Sequence, residues 1–283
     1  MGAGGIRIGI VAPASRLDPA LAERTVALAR ALYPDRLLEL RFHPQCFLSS
    51  GHFAGDDETR ARAFLEVAND ASVDALWFAR GGYGSGRLNE TVLAGLAPAA
   101  ADKAYLGYSD AGALMAALYT RGFARLAHGP MPADLKREGG EAAVKRALAY
   151  LVERAPSALE PTAAEGRPTA AFNITVLSHL IGTPWQPDLA GHVLMLEDVS
   201  EHMYRIDRAL WHITANPAMR RIAGIRLGRC SAIPPNEPDF GQTAEQVARH
   251  WCGVSRIPYL GAADIGHDIE NKVVPWGRGQ AAP

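Results

Sequence analysis

The chain has 283 residues, 48% of them hydrophobic and 21% charged, enough for one large globular domain or two modest ones. Lys and Arg total 29 against 30 Asp and Glu, so the formal charge is -1 and no basic excess points to nucleic acid or an anionic membrane surface. Three cysteines, Cys46, Cys230 and Cys252, are odd in number and far apart, which excludes a disulfide framework or C-x-x-C metal spacing and fits a reducing compartment.

At the start, Ile8–Ala12 is apolar but brief and is ended by Pro13, which suits a first strand better than a signal segment. Gly2 follows Met1, but Ile6 stands where a myristoylation signal wants Ser or Thr. No apolar run approaches the roughly 18 residues that a membrane helix requires. A cytoplasmic protein that engages neither membrane nor nucleic acid is therefore expected.

The first half alternates short apolar runs with helical patterns. Ile6–Ala12 reads as a strand and Pro19–Tyr33 as an amphipathic helix stopped by Pro34. Leu37–Phe42 is a second strand, His43–Gly55 an irregular loop, and Asp56–Asn69 a helix with acidic residues in its first turn, as the helix dipole prefers. Then come strand Ala75–Ala79, helix Gly86–Leu96, strand Ala104–Tyr108, helix Ala111–Arg121, strand Arg125–His128 and helix Glu141–Arg154. Strands with little alternation, separated by helices, predict a parallel sheet covered on both faces, with ligands at the carboxyl ends of the strands.

Ala155–Thr169 contains Pro156, Pro161 and Pro168 among small and polar residues, and reads as a linker. The chain is thus divided into an N-terminal domain over 1–154, a linker over 155–169 and a smaller C-terminal domain over 170–283. In the last of these, Asn173–Ile181 looks helical, Gly191–Leu196 strand-like and Ser200–Thr214 helical. Ile222–Leu227 and Cys230–Ile233 look like separate strands, and Thr243 with Gln246 forms a capping box for a helix to Trp251. Pro258–Leu260 and Lys272–Pro275 look like short strands. The fold class is α/β: an N-terminal parallel-sheet α/β sandwich followed by a smaller α+β domain.

Four stretches carry candidate chemistry. In Gly107-Tyr108-Ser109-Asp110 a serine sits between a strand and a helix, either as a helix cap or as a hydroxyl exposed on a sharp turn. Arg80-Gly81-Gly82-Tyr83-Gly84-Ser85-Gly86 follows another strand; it is a plain turn or a loop whose amides meet Ser109 across a shared sheet edge. Glu197 ends an apolar run, as part of a solvated acidic turn or as one oriented, buried carboxylate. His267 lies in a loop beside Gly266, and the histidines show no paired ligand spacing, so metal hydrolysis has little support. Together Ser109, Glu197 and His267 could supply a nucleophile, an orienting acid and a general base. The order Ser…Glu…His also occurs in α/β-hydrolases, but their connectivity matches poorly, because this acid and base lie beyond a proline-rich linker.

The stretches taken together resemble the LD-carboxypeptidase (muramoyltetrapeptide carboxypeptidase) family of serine peptidases, through most of the chain. The resemblance is carried by Val11-Ala12-Pro13-Ala14-Ser15, by Phe53-Ala54-Gly55-Asp56-Asp57-Glu58 with Arg60, by Ala79-Arg80-Gly81-Gly82-Tyr83-Gly84 and by Gly107–Asp110. In the second half it includes Asn173-Ile174-Thr175 leading to Gly182-Thr183-Pro184, Leu196-Glu197-Asp198 leading to Asp207-Arg208, and Gly266-His267 with Glu270-Asn271. It implies a metal-independent, cofactor-free serine peptidase with Ser109 as nucleophile, His267 as base and Glu197 as acid, and with oxyanion amides on Gly82 and Asp110. It implies release of a terminal D-alanine from the LD-bond of the murein tetrapeptide during cytoplasmic cell-wall recycling, commonly by a homodimer. Arg80, Tyr83 and Asn173 are the candidate substrate contacts, Arg80 for the terminal carboxylate. Two alternatives stand beside this reading: a related immunity peptidase that cleaves acyl-sulfamoyl or phosphoramidate peptide-nucleotide antibiotics, and a non-catalytic small-ligand-binding α/β protein.

Overall fold

The computed structural model describes residues 5–277. Gly2 and the outer ends of the two domain ranges lie outside the described residues. In chain order the elements are β1 (Ile6–Val11), α1 (Pro19–Leu32), β2 (Leu38–Phe42), α2 (Asp57–Asn69), β3 (Ala75–Phe78), α3 (Asn89–Gly95), β4 (Ala104–Gly107), α4 (Ala111–Thr120), β5 (Leu126–His128) and α5 (Glu141–Glu153). They continue with β6 (Thr169–Asn173), α6 (Ile174–Leu180), β7 (Val193–Val199), α7 (Met203–Ala215), β8 (Gly224–Ser231), α8 (Ala244–Ser255), β9 (Tyr259–Ala262) and β10 (Val274–Pro275). Among the described residues no helix is long and apolar enough to cross a membrane.

The first sheet has the order β10-β5-β4-β3-β1-β2. Its β1, β2, β3, β4 and β5 pair in parallel, and β10 runs antiparallel beside β5. Every residue of β3 and β4 is buried, which is why neither strand alternates in sequence. One face packs Ile8, Ile10, Trp77 and Leu106 against Ala22 and Ala29 of α1 and Val144 and Leu148 of α5. The other packs Leu76, Phe78 and Tyr105 against Phe64 of α2, Val92 of α3 and Leu114 of α4.

That second core does not stop at the first sheet. It continues into Phe172, Leu177, Leu196 and Ile213 of the second half. The second sheet has the order β6-β7-β8-β9 with every pairing parallel, a regularity that its short strands do not disclose in the sequence. Three details differ from the sequence reading. β6 occupies Thr169–Asn173, where alanines with weak strand preference give no signal. β7 runs on through Glu197 and Asp198, so Glu197 is inside the strand rather than at its end. β8 is one strand across Gly228 and Arg229, not two.

The chain's final described segment ties the halves together. β10 joins the first sheet, while Gly277 and Thr169 exchange backbone hydrogen bonds of 3.0 and 2.9 Å beside β6. Between them Trp276, 1% exposed, packs its ring 4.4 Å from that of Phe172 and 5.7 Å from that of Tyr119. Its indole N–H has no partner among the described residues, so its contribution is packing. Trp276→Ala should cost about 3–5 kcal/mol, the usual loss for a buried aromatic cut to a methyl. The expected readout is a lower urea midpoint; an unchanged midpoint would show that this segment does not hold the halves together.

Candidate active site

The site begins where β4 ends. Ser109 has φ 60, a left-handed conformation that a non-glycine residue adopts at a cost of roughly 1–2 kcal/mol. Hydrogen bonds from the next residue hold that strained turn in place. The Asp110 carboxylate accepts the Gly84 N–H at 3.2 Å and the Ser85 N–H at 2.8 Å, and the Ser85 hydroxyl donates back to the Asp110 carbonyl. Because β3 and β4 are parallel neighbours, the loop after β3 and the turn after β4 share one sheet edge. A Cβ placed on Gly81 would lie 3.1 Å from Ser109 Oγ and 3.6 Å from the Asp110 amide nitrogen, so the glycine backbone and that amide both border the hydroxyl. Gly82 has φ 111 and packs so tightly on Ser15 that any side chain there would collide.

The far side of the glycine loop rests on Arg60, which is fully buried. Its guanidinium donates to the carbonyls of Pro13 and Gly84, pairs with Asp57 and lies 4.5 Å from the Phe53 ring centroid. These links explain why the Phe53–Arg60 stretch accompanies the glycine loop. It buttresses the loop.

The second half of the site comes from β7 and the loop after β9. Glu197 is fully buried, and its Oε2 lies 2.6 Å from His267 Nδ1. His267 Nε2 lies 2.9 Å from Ser109 Oγ. Burial pushes the Glu197 carboxyl above its ordinary range, and the facing imidazole offsets part of that shift. Oε1 has no partner among the described residues, so His267 is the group that answers this carboxylate. Gly228 permits the approach: a Cβ there would fall 2.7 Å from the Ile265 carbonyl oxygen and 3.0 Å from Glu197 Cβ.

The His267 loop is clamped from several directions. Arg229 on β8 forks onto Asp268, 2.8 Å from Nη2 to Oδ1, and reaches Asp264 at 2.6 Å. Arg146 on α5 donates to the carbonyls of Ile269 and Asn271, both at 2.9 Å. Asn271 Oδ1 accepts the Gly266 N–H at 3.2 Å, which fixes its oxygen end, so His128 Nε2, 3.1 Å away, is the donor to it. Beneath the imidazole lies Tyr108, its ring 4.8 Å away, with its hydroxyl donating to Asp134 at 2.7 Å.

Ser109 opens into a cavity of about 690 Å³ between the glycine loop and α6. Gly82, Tyr83, Asp110 and Asn173 line it, as does Arg87. Arg80 does not; its guanidinium donates to the Arg16 carbonyl at 2.9 Å on the exposed side of the loop. Asn173 caps α6 through the Val176 N–H and donates to Asp198 Oδ1 at 2.8 Å, so both ends of its amide are engaged within the protein. The roles of the Asp110 side chain, Arg87 and Arg229 are not visible in sequence, because their partners lie 25 or more residues away. Glu201, which the helical reading of Ser200–Thr214 places on a helix surface, instead precedes α7 and lines the cavity.

Comparison with known proteins decides the family. The model of the LD-carboxypeptidase N-terminal domain matches residues 8–129, and that of the LD-carboxypeptidase C-terminal domain matches residues 168–280. The chain belongs to the LD-carboxypeptidase family. A murein tetrapeptide carboxypeptidase of Pseudomonas aeruginosa is 27% identical over 292 residues, covering 96% of this chain and 91% of its own. The fold is shared with a muramoyltetrapeptide carboxypeptidase from Oxalobacter formigenes, at TM-score 0.75 and 22% identity, over 96% of this chain and 92% of the other. It is shared too with MccF in complex with glutamyl sulfamoyl guanosine, at TM-score 0.79 and 16% identity, over 96% of this chain and 91% of the other.

His128 gives this member of the LD-carboxypeptidase family a pH-dependent stability. It is 1% exposed, and burial pushes its imidazole from the usual 6.5 down to about 4. The unfolded chain therefore takes up this proton first as pH falls. The contribution is intact above pH 6.5 and is lost on the way down through 4, on the order of 3 kcal/mol in all. His128→Gln keeps a donor but cannot titrate, so between about pH 7 and pH 4 its unfolding free energy should fall less than that of the wild type. Glu197, whose raised carboxyl acts in the opposite sense, is common to both proteins and cancels. Parallel urea titrations check this; equal losses would refute it.

Proposed function

We propose that the chain is a serine LD-carboxypeptidase that releases the terminal D-alanine of murein tetrapeptides. The observation that carries this reading is the hydrogen-bonded line from Ser109 Oγ through His267 to Glu197, in which three residues from distant parts of the chain meet and the serine end opens into the cavity. In the proposed reaction Ser109 Oγ attacks the carbonyl of the diamino acid while His267 Nε2 takes its proton. Glu197 orients the imidazole through Nδ1–H and stabilises its cation. The Gly82 and Asp110 amides receive the oxyanion. Collapse of the tetrahedral intermediate breaks the C–N bond, and His267 returns the proton to the departing amine of D-alanine. Water, deprotonated by the same imidazole, then hydrolyses the acyl-serine.

For the terminal carboxylate Arg87, on the cavity wall, is better placed than Arg80. Tyr83, 59% exposed at the rim, and Asn173 remain the proposed flanking contacts. The proposal extends to cytoplasmic cell-wall recycling, to a homodimer and to the domain division at 155–169, each supported by family likeness. Incubation with a murein tetrapeptide should release free D-alanine, and Ser109→Ala should lower kcat by at least about a thousandfold. Release that survives Ser109→Ala would overturn the mechanism. Faster turnover of an aminoacyl-sulfamoyl nucleotide than of the tetrapeptide would move the chain to the immunity-type reading.

A further inference from the structure

Six titratable side chains line the cavity beside Ser109: Tyr83, Arg87, Asp110, His179, Asp198 and Glu201. Most of the charged ones are already committed. Asp110 engages the Gly84 and Ser85 amides with its two oxygens. Asp198, 2% exposed, accepts from Asn173 Nδ2, from Thr175 through both its amide and its hydroxyl, and from the Val199 amide. Arg87 pairs with Asp57, 2.8 Å from Nε to Oδ2, and lies 5.2 Å from the Phe53 ring centroid.

Glu201 differs from these. Among the described residues its one ion pair is with Arg205, at 3.4 Å, and the Arg205 side chain is 57% exposed. A solvated i,i+4 pair of that length contributes little and is readily exchanged. Arg205 lies in a neighbouring cavity of about 550 Å³ and does not line the one that holds Ser109. Glu201 borders both cavities, with a side chain that is 20% exposed. A carboxylate has about four acceptor sites, so most of its capacity is available to a ligand. It is held at this border because Ser200, φ 60, turns the chain sharply between β7 and α7.

We infer that Glu201 is a specificity-determining residue, which selects substrates whose residue at the acyl side of the scissile bond carries an ammonium-ended side chain. The inference rests on the reading of the site as an LD-carboxypeptidase and supplies what that reading lacks, a group that recognises the second amine of the diamino acid. An extended aliphatic stem fits the apolar wall of Val176, Leu180 and Trp185, and its ammonium meets Glu201. The remaining polarity agrees: Arg87, paired with Asp57, still places the cavity's arginine on the glycine-loop wall, the side proposed for the departing carboxylate, and the uncommitted anion lies beyond β7.

The test compares two tetrapeptides ending in D-alanine that differ only at the third residue, L-lysine in one and L-norleucine in the other. The wild type should prefer lysine, and Glu201→Gln should reduce the ratio of the two kcat/KM values by about tenfold, the size of one partly exposed charge-assisted contact. Glu201→Lys should shift preference toward a third residue with an acidic side chain. A purely structural role would lower both values together and leave the ratio fixed. If the wild type cleaves both peptides and the ratio is unmoved in both variants, the inference fails while the carboxypeptidase reading stands. If the wild type cleaves neither, that reading fails and takes the inference with it.

Discussion

A carboxylate without access to water sets the terms for the rest of this molecule. Charged Glu197 in a fully buried position would cost several kcal/mol if nothing answered it. Its answer is the His267 imidazole at 2.6 Å. Burial favours the neutral acid, so the resting pair is not at its electrostatic best. The arrangement becomes favourable when the imidazole gains a proton, because a close ion pair in a low-dielectric setting is strongly attractive. In the proposed reaction that moment is the transfer of the Ser109 proton. The desolvation of Glu197 is thus a ground-state cost that is offset along the reaction path.

Such an offset depends on position, because misplacement by about an ångström can remove much of the benefit of a preorganised site. The many contacts around the His267 loop make sense in this light. Arg229 pins Asp264 and Asp268 on either side of the histidine, Asn271 holds the Gly266 amide, and Gly228 leaves room for Ile265 to lie against Glu197. On the opposite bank Asp110 pins the glycine loop to the strained Ser109 turn, and Arg60 supports that loop from beneath. Neither bank forms the hydrogen-bonded line alone. The shared core, continuous from Leu114 to Phe172 and Leu196, holds them in register.

How much of this the sequence discloses depends on the range of the interactions. The parallel sheet, its covering helices and the placement of Ser109 and the glycine loop at strand ends are legible, because they depend on local apolar runs and glycine spacing. The capping box of Thr243 and Gln246 is local too, and both of its hydrogen bonds are present. β6 is hidden because alanine supplies neither alternation nor strand preference, although all five of its residues are buried. Glu197 reads as the end of a strand because acidic residues usually mark the surface; only its pairing with His267 makes an interior carboxylate tolerable. Arg80 stands out by sequence proximity to the loop, yet Arg87 is the arginine that faces the cavity. Arg229 and Asn271 act on residues whose proximity only the fold creates.

The proline-rich stretch between the halves shows the same principle at work in an unpromising segment. Its composition predicts a tether, but Glu160 within it is 2% exposed and works in three directions. Its carboxylate caps the next turn through the Thr162 and Ala163 amides and accepts the Asp264 amide at 3.3 Å, while its own amide donates to the Val273 carbonyl at 2.9 Å. Asp264 is the residue that Arg229 grips, and Val273 leads directly into β10. Glu160 in the connecting segment therefore reaches the loop that carries His267 through its buried carboxylate and the strand that closes the first sheet through its backbone amide. The connection does more than join two halves: it braces the face on which they meet, so the alignment of Ser109 with His267 is supported from the connection as well as from the core.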